Sequence, residues 1–174
     1  MSTIGTAAPA RFITIDPGLQ ASGWALWERG RLQAVGLLRA PRSSRGLSDR
    51  SEEQVEVLRR FKHLTHCPPG TVVVSEVMFH RHFKGNKVDP NDLIRLNYLA
   101  GRLSDFGVEA TAWKGSVPRD VEQAHTKHVL DARELALVER VVPASLRKEA
   151  WSAVGLGLSL LERAHQRLGW GVWA

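Results

Sequence analysis

The chain has 174 residues, enough for one domain with a core of its own, and a single cysteine, Cys67, which excludes an intramolecular disulfide or a cysteine-built zinc cluster. Lysine and arginine number 24 against 18 aspartates and glutamates, a formal net charge of +6 that favours a polyanionic partner. No apolar run is long enough to cross a membrane, and the first ten residues lack a signal-peptide pattern, so the expected location is a reducing cytoplasm.

Residues 1–10 are small and mostly polar and read as a loose arm; residues 11–174 read as one domain. Phe12, Ile13 and Ile15 suit a buried strand that ends at Asp16, where Pro17 and Gly18 signal a turn. Asp16 either opens that turn by accepting nearby amides or presents a carboxylate at a rigid strand end. Ala21 to Glu28 and Leu32 to Leu38 follow as strands, with Gly30 between them, giving an antiparallel meander. After an Arg-, Ser- and Gly-rich loop over 41–48, Asp49 or Ser51 caps a helix with Val55, Leu58, Phe61 and Leu64 at helical spacing.

Thr71 to Ser75 is a β-branched run of the kind buried between helices, and it too ends in a carboxylate, Glu76. Residues 80–90 are basic and loop-like. Asp89 or Asn91 starts a helix carrying Leu93, Leu96, Leu99 and Leu103, and Val108 to Ala112 forms a fifth strand. Val117-Pro118-Arg119-Asp120 opens a further helical stretch, Pro143 breaks the chain, and Ala144 to Leu168 is the last helix. Its buried side is expected to carry Leu146, Ala150, Ala153, Val154, Leu160 and Leu161. The order is that of a mixed α/β sheet with a meander and βαβ crossovers.

Asp16 and Glu76 end two core strands, and the last helix offers Glu149. If the first and fourth strands are neighbours, the two strand-end acids stand side by side and repel unless a divalent cation lies between them. Oxygen ligands without thiolates favour magnesium or manganese. Such ions activate water and stabilise the leaving oxygen in phosphodiester hydrolysis.

Ile-Asp-Pro-Gly followed by Gly-Trp-Ala resembles the opening of the RuvC Holliday-junction resolvases, within the RNase H-like superfamily, phage-encoded members among them. Val-Val-Ser-Glu-Val-Met-Phe resembles their second motif, and Ser152-Ala153-Val154-Gly155-Leu156-Gly157-Leu158 stands where they carry a similar run on the last helix. The resemblance covers nearly the whole chain after the arm. It implies an RNase H-like fold: a five-stranded mixed sheet, three strands antiparallel and two parallel, flanked by helices. It also implies Asp16, Glu76 and Glu149 as metal and catalytic residues, with magnesium as cofactor and manganese as substitute. The chain departs from the family at Ser152, where a fourth acid is expected three residues after Glu149.

Phe79 suits stacking on an unpaired base, and Arg81, Lys84 and Lys87 suit phosphates. Lys114 follows the fifth strand and could offset transition-state charge; Arg119 at a helix start could hold a phosphate. His125 and His128 read as structural or solvated. The expected activity is a magnesium-dependent endonuclease resolving four-way DNA junctions as a twofold homodimer, with the helix from Asp89 to Phe106 at the interface. The alternatives are a junction-binding protein with little cleavage, on account of Ser152, and another RNase H-like nuclease.

Overall fold

The structure, a computed structural model, describes residues 10–39, 52–59, 71–77, 89–109, 124 and 126–161. β1 (Arg11–Asp16), β2 (Ala21–Glu28) and β3 (Arg31–Arg39) form the antiparallel meander. β2 turns into β3 through Arg29 and Gly30, at φ 49° and 75°, the left-handed pair that suits a two-residue hairpin. β4 (Val72–Val77) lies parallel beside β1, and β5 (Phe106–Glu109) parallel beside β4. The sheet has five strands in the order β3-β2-β1-β4-β5. α1 (52–59) and α2 (Pro90–Leu103) cover one face; α3 (Ala132–Glu139) and α4 (Arg147–Leu160) lie against the other.

The alternation of each strand builds both cores. Ile13 and Ile15 of β1 and Val73 of β4 pack with Leu26, Leu38, Val55, Leu58, Leu99 and Leu103 on the α1–α2 side. Phe12 points the other way and stacks on Trp27, its register partner, at a centroid distance of 6.2 Å. That pair belongs to a cluster with Val129, Val138, Trp151, Val154 and Leu158.

α4 sits almost directly on the sheet backbone. A side chain at Gly157 would run into the Trp27 indole, 2.1 Å from its Nε1. Thr14 joins the two layers: its hydroxyl donates to the Ala153 carbonyl at 2.6 Å and accepts from Trp27 Nε1 at 3.1 Å. From Ala150 to Leu158 every residue of α4 is buried. The expected one-sided helix is thus enclosed all round, while Leu146, Leu160 and Leu161 are only half-buried. The sheet takes its small residues, and Trp151, Val154 and Leu158 pack beneath α3.

Three boundaries differ from the sequence reading. β5 begins at Phe106 instead of Val108, because Asp105 already pairs with Val73: its amide donates to the Val73 carbonyl and its carboxylate accepts the Val73 amide, both at 2.8 Å. β4 runs on through Glu76 to Val77, so Glu76 lies within the strand. After Pro143 the chain makes a single 3-10 turn, Ala144–Leu146, before α4 begins at Arg147. Of the two proposed starts for α2, Asp89 is the cap; its carboxylate accepts from the Asn91 amide at 2.9 Å.

α3 was not resolved in the sequence as an element of its own. Asp131 caps it and Glu134 returns the bond, a reciprocal capping box. Glu134 is buried, and its Oε1 also accepts the Leu32 amide at 2.9 Å, tying the edge strand to α3. Thr14→Val should destabilise the fold by about 1–3 kcal/mol, since it removes both the buried bond to the Ala153 carbonyl and the one accepted from Trp27 Nε1 while keeping the shape of the side chain. Gly157→Ala should cost a similar ~1–3 kcal/mol by overpacking against the indole. Urea unfolding of both variants checks the pair.

Candidate functional site

β1 and β4 run parallel with Ile15 paired to Ser75, so Asp16 and Glu76 are the next residues of neighbouring strands. Residues level with each other in a sheet point to one face. Asp16 and Glu76 therefore share the face of Thr14 and Phe12, which is the α4 face. Both are buried, at 2% and 0% exposure, so neither is a solvated surface charge.

Gly23 on β2 is the other register partner of Asp16. A Cβ there would lie 1.9 Å from the carbonyl oxygen of Glu149, so the first turn of α4 rests on β2 beside Asp16. Glycine is required at that point by the closeness of the helix. Asp16, Glu76 and the backbone of Glu149 are thereby brought to one corner of the α/β sandwich. Glu149 is mostly buried, with 16% side-chain exposure, and its Oε1 lies 3.7 Å from Lys148 Nζ.

Ser152, one turn along α4 from Glu149, is completely buried, and its hydroxyl has no hydrogen-bond partner. An unpaired buried hydroxyl is uncommon and costs about 1–3 kcal/mol. Asp16, Glu76, Glu149 and Ser152 offer oxygen atoms and no thiolate, a donor chemistry that suits a hard divalent cation better than zinc. Among the described residues, no three His, Cys, Asp or Glu side chains stand in an arrangement that would hold a metal ion. The corner is thus assembled by the main chain, with the carboxylates not gathered into a ligand cage.

The proposed DNA-contacting residues Phe79, Arg81, Lys84, Lys87, Lys114 and Arg119 lie outside the described residues, as does His125. His128 is exposed on a helical turn over 126–129. One buried polar residue close to the corner escaped the sequence reading. Gln54 on α1 is fully buried and bonds to the turn after Asp16. It sits in a helix of ordinary amphipathic spacing, and nothing in that spacing marks it. Among the described residues no helix is long and apolar enough to cross a membrane.

No family model matches the chain, and no curated protein does. Solved structures do. Thermus thermophilus RuvC aligns at a TM-score of 0.53 and 14% identity, over 91% of this chain and 97% of that one. T. thermophilus RuvC in complex with Holliday junction substrate aligns at 0.49 and 15%, over 91% and 96%. At this identity the likeness is one of architecture, and the chain has a RuvC-like fold.

Proposed function

We propose that this protein is a metal-dependent, structure-selective endonuclease that resolves four-way DNA junctions. The observation that carries the reading is the corner itself: two buried acids side by side on adjacent parallel strands, with the Glu149 turn of α4 set against Gly23 beside them. On this reading the carboxylates of Asp16, Glu76 and Glu149, which are not gathered around a common point in the structure, would turn to hold magnesium, or manganese in its place. A divalent cation bound there supplies an activated water and charge stabilisation for the departing oxygen of a phosphodiester. The protein's own part is to keep the acids on rigid elements, mostly shielded from water, so that their positions vary little.

The net charge of +6 and the RuvC-like fold support branched DNA as the substrate. Phosphate contacts would give affinity, and junction shape and deformability would give selectivity. A junction has approximate twofold symmetry, which a homodimer matches. On α2, Ile94 and Tyr98 are exposed at 68% and 47% and four residues apart, which puts apolar area on the outward side of that helix. Lys114 and Arg119 keep the roles given to them above, charge compensation and phosphate binding.

Ser152 favours a second reading, a protein that binds junctions and cuts them weakly. A serine hydroxyl is a poor magnesium ligand beside a carboxylate, and the one here is buried and unpaired. A cleavage assay on junction, duplex and RNA–DNA hybrid substrates with magnesium or manganese separates the readings. Preferential cleavage of the junction supports the first, binding without cleavage the second, and cutting of the hybrid another RNase H-like nuclease.

Asp16→Asn and Glu76→Gln should each lower junction cleavage by about a hundredfold or more, the scale of removing one electrostatic stabiliser from a reacting centre. Both should leave junction affinity at low magnesium within a few-fold, as judged by gel shift. Ser152→Asp should behave differently in two ways. A carboxylate buried at that position lowers the melting temperature without metal, because an unpaired buried charge is costly. Magnesium should then raise the melting temperature more in the variant than in the wild type, and cleavage should reach half-maximum at lower magnesium. Coincident magnesium curves would mean that three acids suffice.

A further inference from the structure

We propose that Gln54 is a positioning residue for Asp16, holding the Pro17–Gly18 turn from the sheet face opposite the acids. The inference rests on the metal-dependent reading above and deepens it. Gln54 is 0% exposed, and a buried primary amide is tolerated only where both of its ends are paired. Its Oε1 accepts from the Ser22 hydroxyl at 2.6 Å, and its Nε2 donates to the Gly18 carbonyl at 3.3 Å. The Gly18 amide in turn donates to Ser22 Oγ at 3.2 Å.

The proton count closes this circuit in one way. A hydroxyl has a single hydrogen, and that of Ser22 goes to Gln54 at 2.6 Å. The 3.5 Å separation between Ser22 Oγ and the Gly18 carbonyl then carries no donated proton, and the carbonyl is served by Gln54. Both backbone polar groups of Gly18 thus depend on the same amide, one directly and one through Ser22. The turn has little slack: a Cβ on Gly18 would meet the Ala21 carbonyl oxygen at 2.2 Å.

Packing alone does not ask for an amide here. Val55 and Leu58, on the same helix, join the apolar cluster of Ile13 and Ile15. An unbranched apolar residue at 54 could extend that cluster. What the amide adds is a fixed Gly18, two residues after Asp16. Ser22 and Gln54 lie on the α1 side, whereas Gly23 and Glu149 lie on the α4 side. The strand end that presents Asp16 is therefore gripped from both faces.

The test compares Gln54→Met, which keeps length and removes every donor and acceptor, with Leu58→Ala, which weakens the same helix through packing only. Amide exchange is read by NMR, and magnesium binding by thermal shift and calorimetry. Gln54→Met should speed exchange at Gly18 about tenfold or more relative to Ile13, the local opening expected when its bonds are lost. It should also raise the magnesium midpoint several-fold. Leu58→Ala should lower the melting temperature at least as far and leave both readouts near wild type. Ser22→Ala breaks the circuit at its other end and should reproduce both effects, so the inference stands or falls even if Gln54→Met does not fold. Unchanged Gly18 exchange overturns the inference. So does an unchanged magnesium midpoint in a protein whose wild type responds to the ion. A wild type that responds to neither magnesium nor manganese overturns the metal-dependent reading instead, and the inference with it.

Discussion

The hydroxyl of Thr14 donates to a carbonyl that already serves α4, and this bond joins the sheet to the helix that carries Glu149. It is short and buried, and the Thr14 oxygen in turn accepts from the indole of Trp27. Near one end of the contact Gly23 brings the two main chains together, and near the other Gly157 makes room for the Trp27 indole. The separation between Asp16 and the first turn of α4 is consequently set by main-chain contact. Flexible side chains filling that gap would leave the same corner much less defined.

Burial is the second constraint. Asp16 and Glu76 are enclosed on a face otherwise given to Phe12, Trp27 and small helix residues. Taking carboxylates out of water is unfavourable unless other groups or ions compensate. The same face gives Glu134 a structural use for a buried carboxylate, with Oε1 on the Leu32 amide and Oε2 on the Asp131 amide. Buried acids in one small domain thus serve different ends. Glu134 accepts from backbone amides and fastens an edge strand, and Asp16 and Glu76 stand side by side on parallel strands.

Much of this was legible in the sequence because the signals were local. The bulky residues before Asp16, the β-branched run before Glu76 and the leucine spacing of α2 each specify one element, and chain order implied the crossovers. The Asp131–Glu134 capping box was equally local and could have been read from Asp-x-x-Glu ahead of an apolar run. The early start of β5 was not legible, because it depends on Asp105 meeting Val73, distant in sequence. Nor was Gln54: its partners come from β2 and the turn after β1, and helical spacing carries no record of them. The enclosure of α4 was hidden for a related reason. Glycine and alanine look weakly apolar in a sequence, yet here they allow the closest approach in the core.

The seat of α4 on β2 also behaves as a vernier. Gly23 meets Glu149 and Trp27 meets Gly157, so four residues of strand are matched by eight of helix. Those lengths are about 13–14 Å and about 12 Å, from the rise per residue of each element. The two scales therefore coincide closely over only a couple of turns, and the mismatch grows with every further turn. Glu149 lies at one end of the coincident stretch and the bulky indole at the other. Lengthening α4 beyond Leu160 would not tighten its alignment with the strands, so the helix has one natural reading position on the sheet, and an acid stands at its first mark.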